Sequence, residues 1–337
     1  MRTDRMCLVV VVLAFCISSL FAQSAAIGGA ANSTLPAQSA AQCQDPALPN
    51  ANQLALLRWY GANTVNTIPT GGSPNGIAFD GANIWVVNGP PNSVTKLRAN
   101  DGALLGTFPL GNVPGYAAFD GVNIWITNLL DQTVSKLRAS DGENLGNFPT
   151  GKFPWVIAFD GRSIWVANIL DNSVSKIRAS DGASLGVFPA GPIPIGLAFD
   201  GHNIWVANQG GANTVTKLRA SDGALLGTFP VGINPVGVTF DGTSIWVANQ
   251  DSNTVTRLRP SDGQVTGTFP VGSKPQFIAF DGTNLWVSNL GSSNVTKLRD
   301  CDGALLGTFP AGNSPVGIVF DGANVWTANN GGSTSKL

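Results

Sequence analysis

The sequence repeats a unit of about forty residues seven times. The tripeptide Phe-Asp-Gly marks each copy, and its aspartate falls at positions 80, 120, 160, 200, 241, 281 and 321, so that successive copies are 40 or 41 residues apart. A regular period of this length is typical of solenoids and propellers, in which a unit buries its apolar surface only against its neighbours. The repeat therefore predicts one repeat architecture over most of the chain.

Each unit contains four short apolar runs. In the first copy they read Gly-Ile-Ala-Phe, Asn-Ile-Trp-Val, Val-Thr-Lys-Leu-Arg and Leu-Leu-Gly-Thr-Phe, and turn residues separate them. Runs rich in β-branched and aromatic residues favour strands, and no stretch shows the periodicity of an amphipathic helix. Four strands in forty residues correspond to one propeller blade. The fold class expected is all-β.

The two ends of the repeat region complement each other. Residues 333–337 match the start of a third strand, whereas residues 57–58 and 63–71 match the end of that strand and the whole fourth strand. The sequence thus predicts a seven-bladed β-propeller of four-stranded antiparallel blades over residues 57–337, with the last blade closed by an N-terminal strand. Such closure removes the exposed sheet edges that an open array would present.

Three residue types recur at fixed places in the unit. The two Asp-Gly pairs of each copy are expected to form hairpin turns, because aspartate bonds nearby backbone amides and glycine accepts a positive φ. Calcium sites are the alternative, but the aspartates lack the alternating spacing of a calcium loop. The tryptophan of each copy is expected to fill the core between blades. The repeated Lys and Arg share one face of the third strand, and partly buried Arg to Asp contacts between or within blades are expected in preference to a basic binding stripe.

The first 56 residues differ in composition from the rest. Arg2 and Arg5 precede an apolar run, which is the order of a secretory signal, so residues 1–22 are predicted to be a cleaved signal peptide, with an uncleaved anchor as the alternative. Residues 23–56 are rich in Ala, Ser, Gln, Asn and Pro and are predicted to be a low-complexity leader. No second long apolar stretch follows. The mature protein is therefore expected to be secreted or periplasmic and not inserted in a membrane.

Charge and cysteine content restrict the partners and the redox state. Beyond residue 22 the chain carries 17 basic and 19 acidic residues, which offers no basic field for nucleic acid. Cys43 and Cys301 are the two cysteines that remain after the signal. An even pair outside the cytoplasm predicts a disulfide between them, with two unpaired thiols as the alternative.

The repeated Phe-Asp-Gly, Ile-Trp-Val and terminal Asn, followed by Val-Thr-Lys-Leu, resemble the YVTN-type 40-residue β-propeller repeat. They are more distantly similar to the streptogramin (virginiamycin B) lyase propellers. The resemblance covers about residues 57–337 and implies a seven-bladed secreted or periplasmic protein, in a group that includes both binding proteins and lyases. The resemblance says little about activity, because the shared positions belong to the scaffold.

The lyase alternative needs a base and a metal that this sequence supplies poorly. The lyase relatives are thought to use a histidine and an acid with a divalent metal in the central opening. His202, the single histidine, lies in an Asp-Gly turn whose equivalent positions vary freely, and Glu143 lies in the opposite hairpin. We therefore expect no catalytic residue, no metal site and no cofactor, and keep a metal-dependent lyase or lactonase-like enzyme as the alternative.

The copies differ most in the loops at one face of the predicted ring. In the second to fourth copies these loops carry large apolar residues where the other copies are polar, and loops on a rigid frame often carry binding sites. We expect them to bind an unknown protein, peptide or glycan, although the same loops could instead fold over each other and cover the channel mouth. The predicted binding residues are Tyr116, Leu129, Leu130, Phe153, Trp155, Ile169, Leu170 and Ile195.

Overall fold

The chain forms a ring of seven four-stranded antiparallel sheets. The computed structural model describes residues 66–337, and the strand order in each sheet follows the chain except in the seventh. The predicted all-β seven-bladed propeller is confirmed. The other regular element in this range is a single 3₁₀ turn, Ile169–Asp171. The predicted signal peptide and leader lie outside the described residues.

The strands, in chain order, have the following bounds: β1 Asn66–Pro69, β2 Pro74–Phe79, β3 Asn83–Asn88, β4 Ser93–Arg98, β5 Leu104–Pro109, β6 Pro114–Phe119, β7 Asn123–Asn128, β8 Thr133–Arg138, β9 Asn144–Pro149, β10 Pro154–Phe159, β11 Ser163–Asn168, β12 Ser173–Arg178, β13 Ser184–Pro189, β14 Pro194–Phe199, β15 Asn203–Asn208, β16 Thr214–Arg219, β17 Leu225–Pro230, β18 Pro235–Phe240, β19 Ile245–Asn249, β20 Thr254–Leu258, β21 Val265–Pro270, β22 Pro275–Phe280, β23 Asn284–Asn289, β24 Asn294–Arg299, β25 Leu305–Pro310, β26 Pro315–Phe320, β27 Val325–Asn329 and β28 Ser333–Lys336. Blades 1 to 6 are the successive groups of four from β2 to β25, and blade 7 consists of β26, β27, β28 and β1.

The first strand of each blade lines the central channel. Each of these inner strands packs against the inner strand of the next blade, and β26 packs against β2, so the ring is complete. The closing strand is where the ends of the repeat predicted it. The outer strand β1 pairs antiparallel with β28, from Asn66 opposite Lys336 to Pro69 opposite Ser333.

An aspartate and a tryptophan hold the first hairpin of each blade. In blade 1, Asp80 accepts hydrogen bonds from the backbone N–H groups of Ala82 and Asn83, and its second oxygen accepts one from Trp85 Nε1 at 2.8 Å. Burial alone would raise the pKa of Asp80, but the bonds from Trp85 and Asn83 outweigh it and the pKa lies below its ordinary value. The predicted hairpin turns and core tryptophans are thus confirmed, and six of these tryptophans are fully buried.

The repeated basic residues form two kinds of contact, of which the Arg to Asp pairs within blades 1 to 6 are the kind expected. Arg98 pairs with Asp101 of its own hairpin at 2.9 Å, but both side chains are about half exposed. Lys96 is buried, and its Nζ lies 5.1 Å from the centre of the Trp85 ring and donates to the backbone oxygen of Ala139 in blade 2 at 2.7 Å. The lysine contact was not predicted from the sequence, because it joins a side chain to backbone carbonyls of a different blade.

Among the described residues, none forms a helix long and apolar enough to cross a membrane.

Candidate binding face

The propeller has two unlike faces. The Asp-Gly turns share one face, and the other, here called the loop face, carries the connections between blades and the turns between second and third strands. Every inner strand begins at the loop face with a proline, as at Pro74 and Pro114. The residues just after these prolines therefore surround the channel mouth, where loops and channel meet.

The two loops of each blade on this face are bonded to one another. In blade 2, the backbone N–H of Leu129 donates to Val113 O at 3.0 Å, and Asp131 accepts from the N–H of Asn112 at 2.8 Å. Blade 3 repeats the first bond with Ile169 and Phe153 at 3.1 Å. The loop face is thus an ordered extension of the sheets, which suits it to present side chains in fixed positions.

The residue before the inner-strand proline has left-handed backbone geometry in six blades. Blades 5 to 7 place residues there that are polar, namely Asn234, Lys274 and Ser314. Blades 2 to 4 place large apolar residues there, with φ of 54° at Val113, 58° at Phe153 and 53° at Ile193. Left-handed geometry is uncommon for bulky or β-branched residues and costs about 1–2 kcal/mol per residue. Three adjacent blades therefore hold apolar side chains at this position against the backbone preference.

Aromatic rings fill the channel below this face. Tyr116 of blade 2 contacts Trp155 of blade 3, with ring centroids 5.4 Å apart, and Phe277 of blade 6 at 5.0 Å. Blades 2 and 6 are not neighbours in the ring, so the second contact spans the channel. Burial raises the pKa of the Tyr116 phenol. Above these rings, Phe153 stacks on Trp155 with centroids 6.3 Å apart.

A hydroxyl on the second strand accompanies each aromatic residue that crosses the channel. Thr127 accepts from the N–H of Tyr116 at 3.0 Å and donates to Trp155 O of the next blade at 2.8 Å. Ser288 makes the same two bonds, from Phe277 at 3.1 Å and to Val316 O at 2.7 Å. The other blades have Val or Ala at this second-strand position. Blades 2 and 6 are thus built differently where their rings enter the channel.

The eight predicted binding residues divide by exposure. Leu130 and Leu170 are exposed, at 40% and 66% of their surface, and Phe153, Trp155 and Ile169 are half-buried. The remaining three are buried, namely Tyr116, Leu129 and Ile195. These three side chains pack inside the ring. Their burial agrees with the alternative prediction, in which the loops fold over each other and cover the channel mouth. The binding role of the whole set stays a prediction.

The accessible apolar residues of this region lie in the loops of three consecutive blades, 2 to 4. We call it the apolar arc and define it by the following residues: Val113, Leu130, Phe153, Trp155, Ile169, Leu170 and Ile193. The sequence prediction missed Phe277, which lies outside the arc. The signal was present, because the position two residues after the inner-strand proline is Gly in blades 1, 4, 5 and 7 but Tyr, Val and Phe in the others.

The loop face of blades 5 and 6 is mostly polar. Asn234 donates to Gln250 at 3.1 Å and to Asp251 at 3.1 Å, and Lys274 lies 3.8 Å from Asp251. One large apolar side chain, Ile233, is exposed among them. The loop face therefore presents an apolar arc on one side of the channel mouth and amide groups on the other.

The residues of the lyase alternative do not come together. His202 is exposed in its turn on the opposite face, where its backbone N–H donates to Asp200 Oδ1. Between residues 66 and 337, no group of three or more His, Cys, Asp or Glu side chains is placed to hold a metal ion. The donor set of this part of the chain therefore does not fit a metal-assisted elimination.

Cys301 lies in the turn between the third and fourth strands of blade 6 and is disulfide-bonded. The other cysteines of the chain lie outside the described residues. The pairing with Cys43 stays a prediction.

No protein-family model matches the chain, and no curated protein matches it. Among solved structures, the chain is similar to a streptogramin B lyase, with a TM-score of 0.71 and 17% identity over 81% of this chain and 96% of that one. It is similar to virginiamycin B lyase from Staphylococcus aureus, with a TM-score of 0.70 and 20% identity over 81% and 98% of the two chains. Hydrazine synthase of Kuenenia stuttgartiensis gives a TM-score of 0.69 and 17% identity over 82% and 98%.

The chain is a β-propeller related in structure to streptogramin lyases. At these identities the likeness concerns the fold alone. A hydrazine synthase with the same likeness shows that this fold accompanies different chemistries, so function has to be argued from the site.

Proposed function

We propose that this protein is a non-enzymatic binding scaffold of the YVTN-type repeat class, exported from the cytoplasm, which takes its partner on the apolar arc of the loop face. The partner is a protein, a peptide or a glycan. Export rests on the sequence of residues 1–22, and the binding role rests on the geometry of the loop face.

The left-handed backbone at Val113, Phe153 and Ile193 carries the proposal. A residue such as Asn234 fits this geometry at lower cost, and the fold uses it in blade 5. The left-handed geometry recurs in six blades and belongs to the scaffold, whereas a large apolar residue at this position does not, and strain of this kind tends to mark functional positions. Here the strained residues are adjacent, apolar and only half-buried, which is the composition of a contact surface.

Because Tyr116 and Phe277 close the channel, the ligand is expected to lie on the loop face and not deep within the ring. Tyr116 and Phe277 meet across the opening, so a molecule approaching from the loop face first contacts Phe153 and Trp155. Half-buried aromatic side chains held by neighbours are effective anchors, because little conformational entropy is lost when they bind.

A pair of substitutions at equivalent positions tests the proposal. Phe153→Asn removes an apolar anchor and also relieves about 1 kcal/mol of backbone strain. Lys274→Asn relieves the same strain in blade 6 but leaves the apolar arc intact. We expect Phe153→Asn to lose the partner captured from the extracellular fraction by the immobilised wild type, with a melting temperature within a few degrees of it. Lys274→Asn should capture as the wild type does. Equal capture by both variants would contradict the proposal.

A further inference from the structure

We propose that the ligand of the loop face is a neutral oligosaccharide, which lies across the channel mouth with a sugar ring on Trp155 and hydroxyl groups at Asn75 and Gln276. This assignment rests on the proposed function and names the ligand class for the same face.

The first observation is a pair of amide side chains at the channel mouth with hydrogen-bonding capacity to spare. Gln276 is the second residue of its inner strand and only 8% exposed. Its Nε2 makes long bonds to Lys274 O at 3.3 Å and Pro275 O at 3.4 Å, and its Oε1 accepts none from residues 66–337. This oxygen is not among the fully buried atoms that lack a partner, so it reaches the surface and can accept a hydrogen bond from a ligand.

Asn75 occupies the equivalent position in blade 1. It is half-buried, and its side chain makes no hydrogen bond within the described part of the chain. Blade 7, which lies between blades 1 and 6 in the ring, has Val316 at this position. The two amides therefore flank one blade at the channel mouth, where Asn75 offers both a donor and an acceptor and Gln276 offers its Oε1 as an acceptor. A sugar hydroxyl, which also donates and accepts, matches such groups.

The second observation is that the acidic groups of this face are already paired. Asp131 accepts from the N–H and the Nδ2 of Asn112 at 2.8 and 2.7 Å. Asp171 accepts from the N–H of Lys152 at 2.6 Å, and Asp251 is engaged by Asn234 and Lys274. These bonds satisfy part of the acceptor capacity of each carboxylate and hold it in the loop. Lys152 is exposed and its side chain has no partner among residues 66–337, and the other free recognition groups of the face are amides and aromatic rings, which suits a ligand without cationic groups.

The third observation is the position of the aromatic pair. Trp155 has the same place in blade 3 that Asn75 and Gln276 have in blades 1 and 6. Its indole is half-buried, with the Tyr116 ring edge-on to it and the Phe153 ring nearly parallel to it at a centroid distance of 6.3 Å. The C–H face of a pyranose ring packs on such a surface, while its equatorial hydroxyls point outward to polar groups. The indole at one side of the channel mouth can therefore contact the C–H face of a sugar ring, and the free amides at the other side can bond its hydroxyl groups.

The test is calorimetric titration of the full mature chain with four neutral hexasaccharides, cellohexaose, chitohexaose, xylohexaose and mannohexaose, and with the acidic hexamer of galacturonic acid. We expect at least one neutral hexasaccharide to bind, and Gln276→Met and Trp155→Leu each to weaken that binding about tenfold, the effect of one lost hydrogen bond or stacking contact. His202→Ala, on the opposite face, should leave it unchanged. Thermal melting confirms that each variant is folded.

Each other outcome counts against the assignment in a defined way. If none of the neutral hexasaccharides binds while Phe153-dependent capture of a protein or peptide persists, the ligand class is wrong and the proposed function stands. If neither binding nor Phe153-dependent capture occurs, both are wrong. Binding that survives both Gln276→Met and Trp155→Leu overturns the site, and binding of the acidic hexamer alone overturns the neutral class.

Discussion

At the scale of single residues, glycines with the same backbone geometry have different roles. Gly121 and Gly142 both lie in Asp-Gly turns of blade 2 and both have positive φ, 97° and 79°. A Cβ on Gly121 would meet nothing within 4 Å, whereas a Cβ on Gly142 would overlap the ring of Phe108 from blade 1. Phe108 in turn packs on Trp85, with centroids 5.6 Å apart. Gly142 is thus needed for the turn and also for the contact between blades.

Alanine at these two glycines separates the two requirements. Gly121→Ala should lower the free energy of unfolding by about 1 kcal/mol, the cost of a left-handed alanine. Gly142→Ala should lower it by about 3 kcal/mol, because the ring of Phe108 must also move. Urea denaturation of both variants measures the difference. Equal losses would show that Phe108 does not constrain the turn.

At the scale of elements, buried and half-buried cations join neighbouring blades through backbone carbonyls. The third-strand lysines of blades 1 to 4 and 7 donate to backbone oxygens of the following blade, and Arg257 of blade 5 does the same toward Cys301. Lys336 makes this contact across the closure, to Ala99 O of blade 1 at 2.8 Å. Hydrogen bonds from a charged donor in a buried setting are stronger than exposed salt bridges.

Two substitutions in strand β4 compare these contacts. Lys96→Met removes the bonds to Ala139 O and Ser140 O and leaves two carbonyls without their donor. We expect it to lower the free energy of unfolding by about 2 kcal/mol. Arg98→Met removes only an exposed pair with Asp101 and should change stability little. Chemical denaturation of the two variants would contradict this account if Arg98→Met were the more damaging.

At the scale of the whole molecule, one short strand closes the ring. The strand β1 covers the free edge of β28, and its residue Ile68 packs against the Asp-Gly turn of blade 1 at Gly102. It therefore contributes both a sheet edge and a contact between the last blade and the first. An uncovered edge in a closed ring would expose backbone hydrogen-bonding groups and invite aggregation.

Removal of residues 1–70 should abolish cooperative folding, because blade 7 would lose its outer strand and the contact that Ile68 makes with blade 1. Circular dichroism melting and gel filtration of the truncated chain, beside a chain that begins at Gln23, provide the measurement. A cooperative transition of the truncated chain near the temperature of the longer one would show that β1 is dispensable.

Most of the fold followed from local patterns in the sequence. The Asp-Gly turns, the alternating strand residues and the forty-residue period each act within one blade, and the matching ends of the repeat were sufficient to predict closure. The candidate site was predicted less well. Leu130 and Leu170 are exposed as expected. The burial of Tyr116 and Ile195 could not be foreseen from the sequence, because it depends on residues of other blades.

The sequence by itself determined the blade, the number of blades and the way they close, since those features repeat and each copy reports the same local requirement. Only the tertiary structure decided which loop residues remain accessible, why Gly142 cannot carry a side chain, and that Tyr116 meets Phe277. The physical reason is that these contacts join residues of different blades, whose distance is set by the radius of the ring and the packing around it. No spacing along the chain encodes that distance.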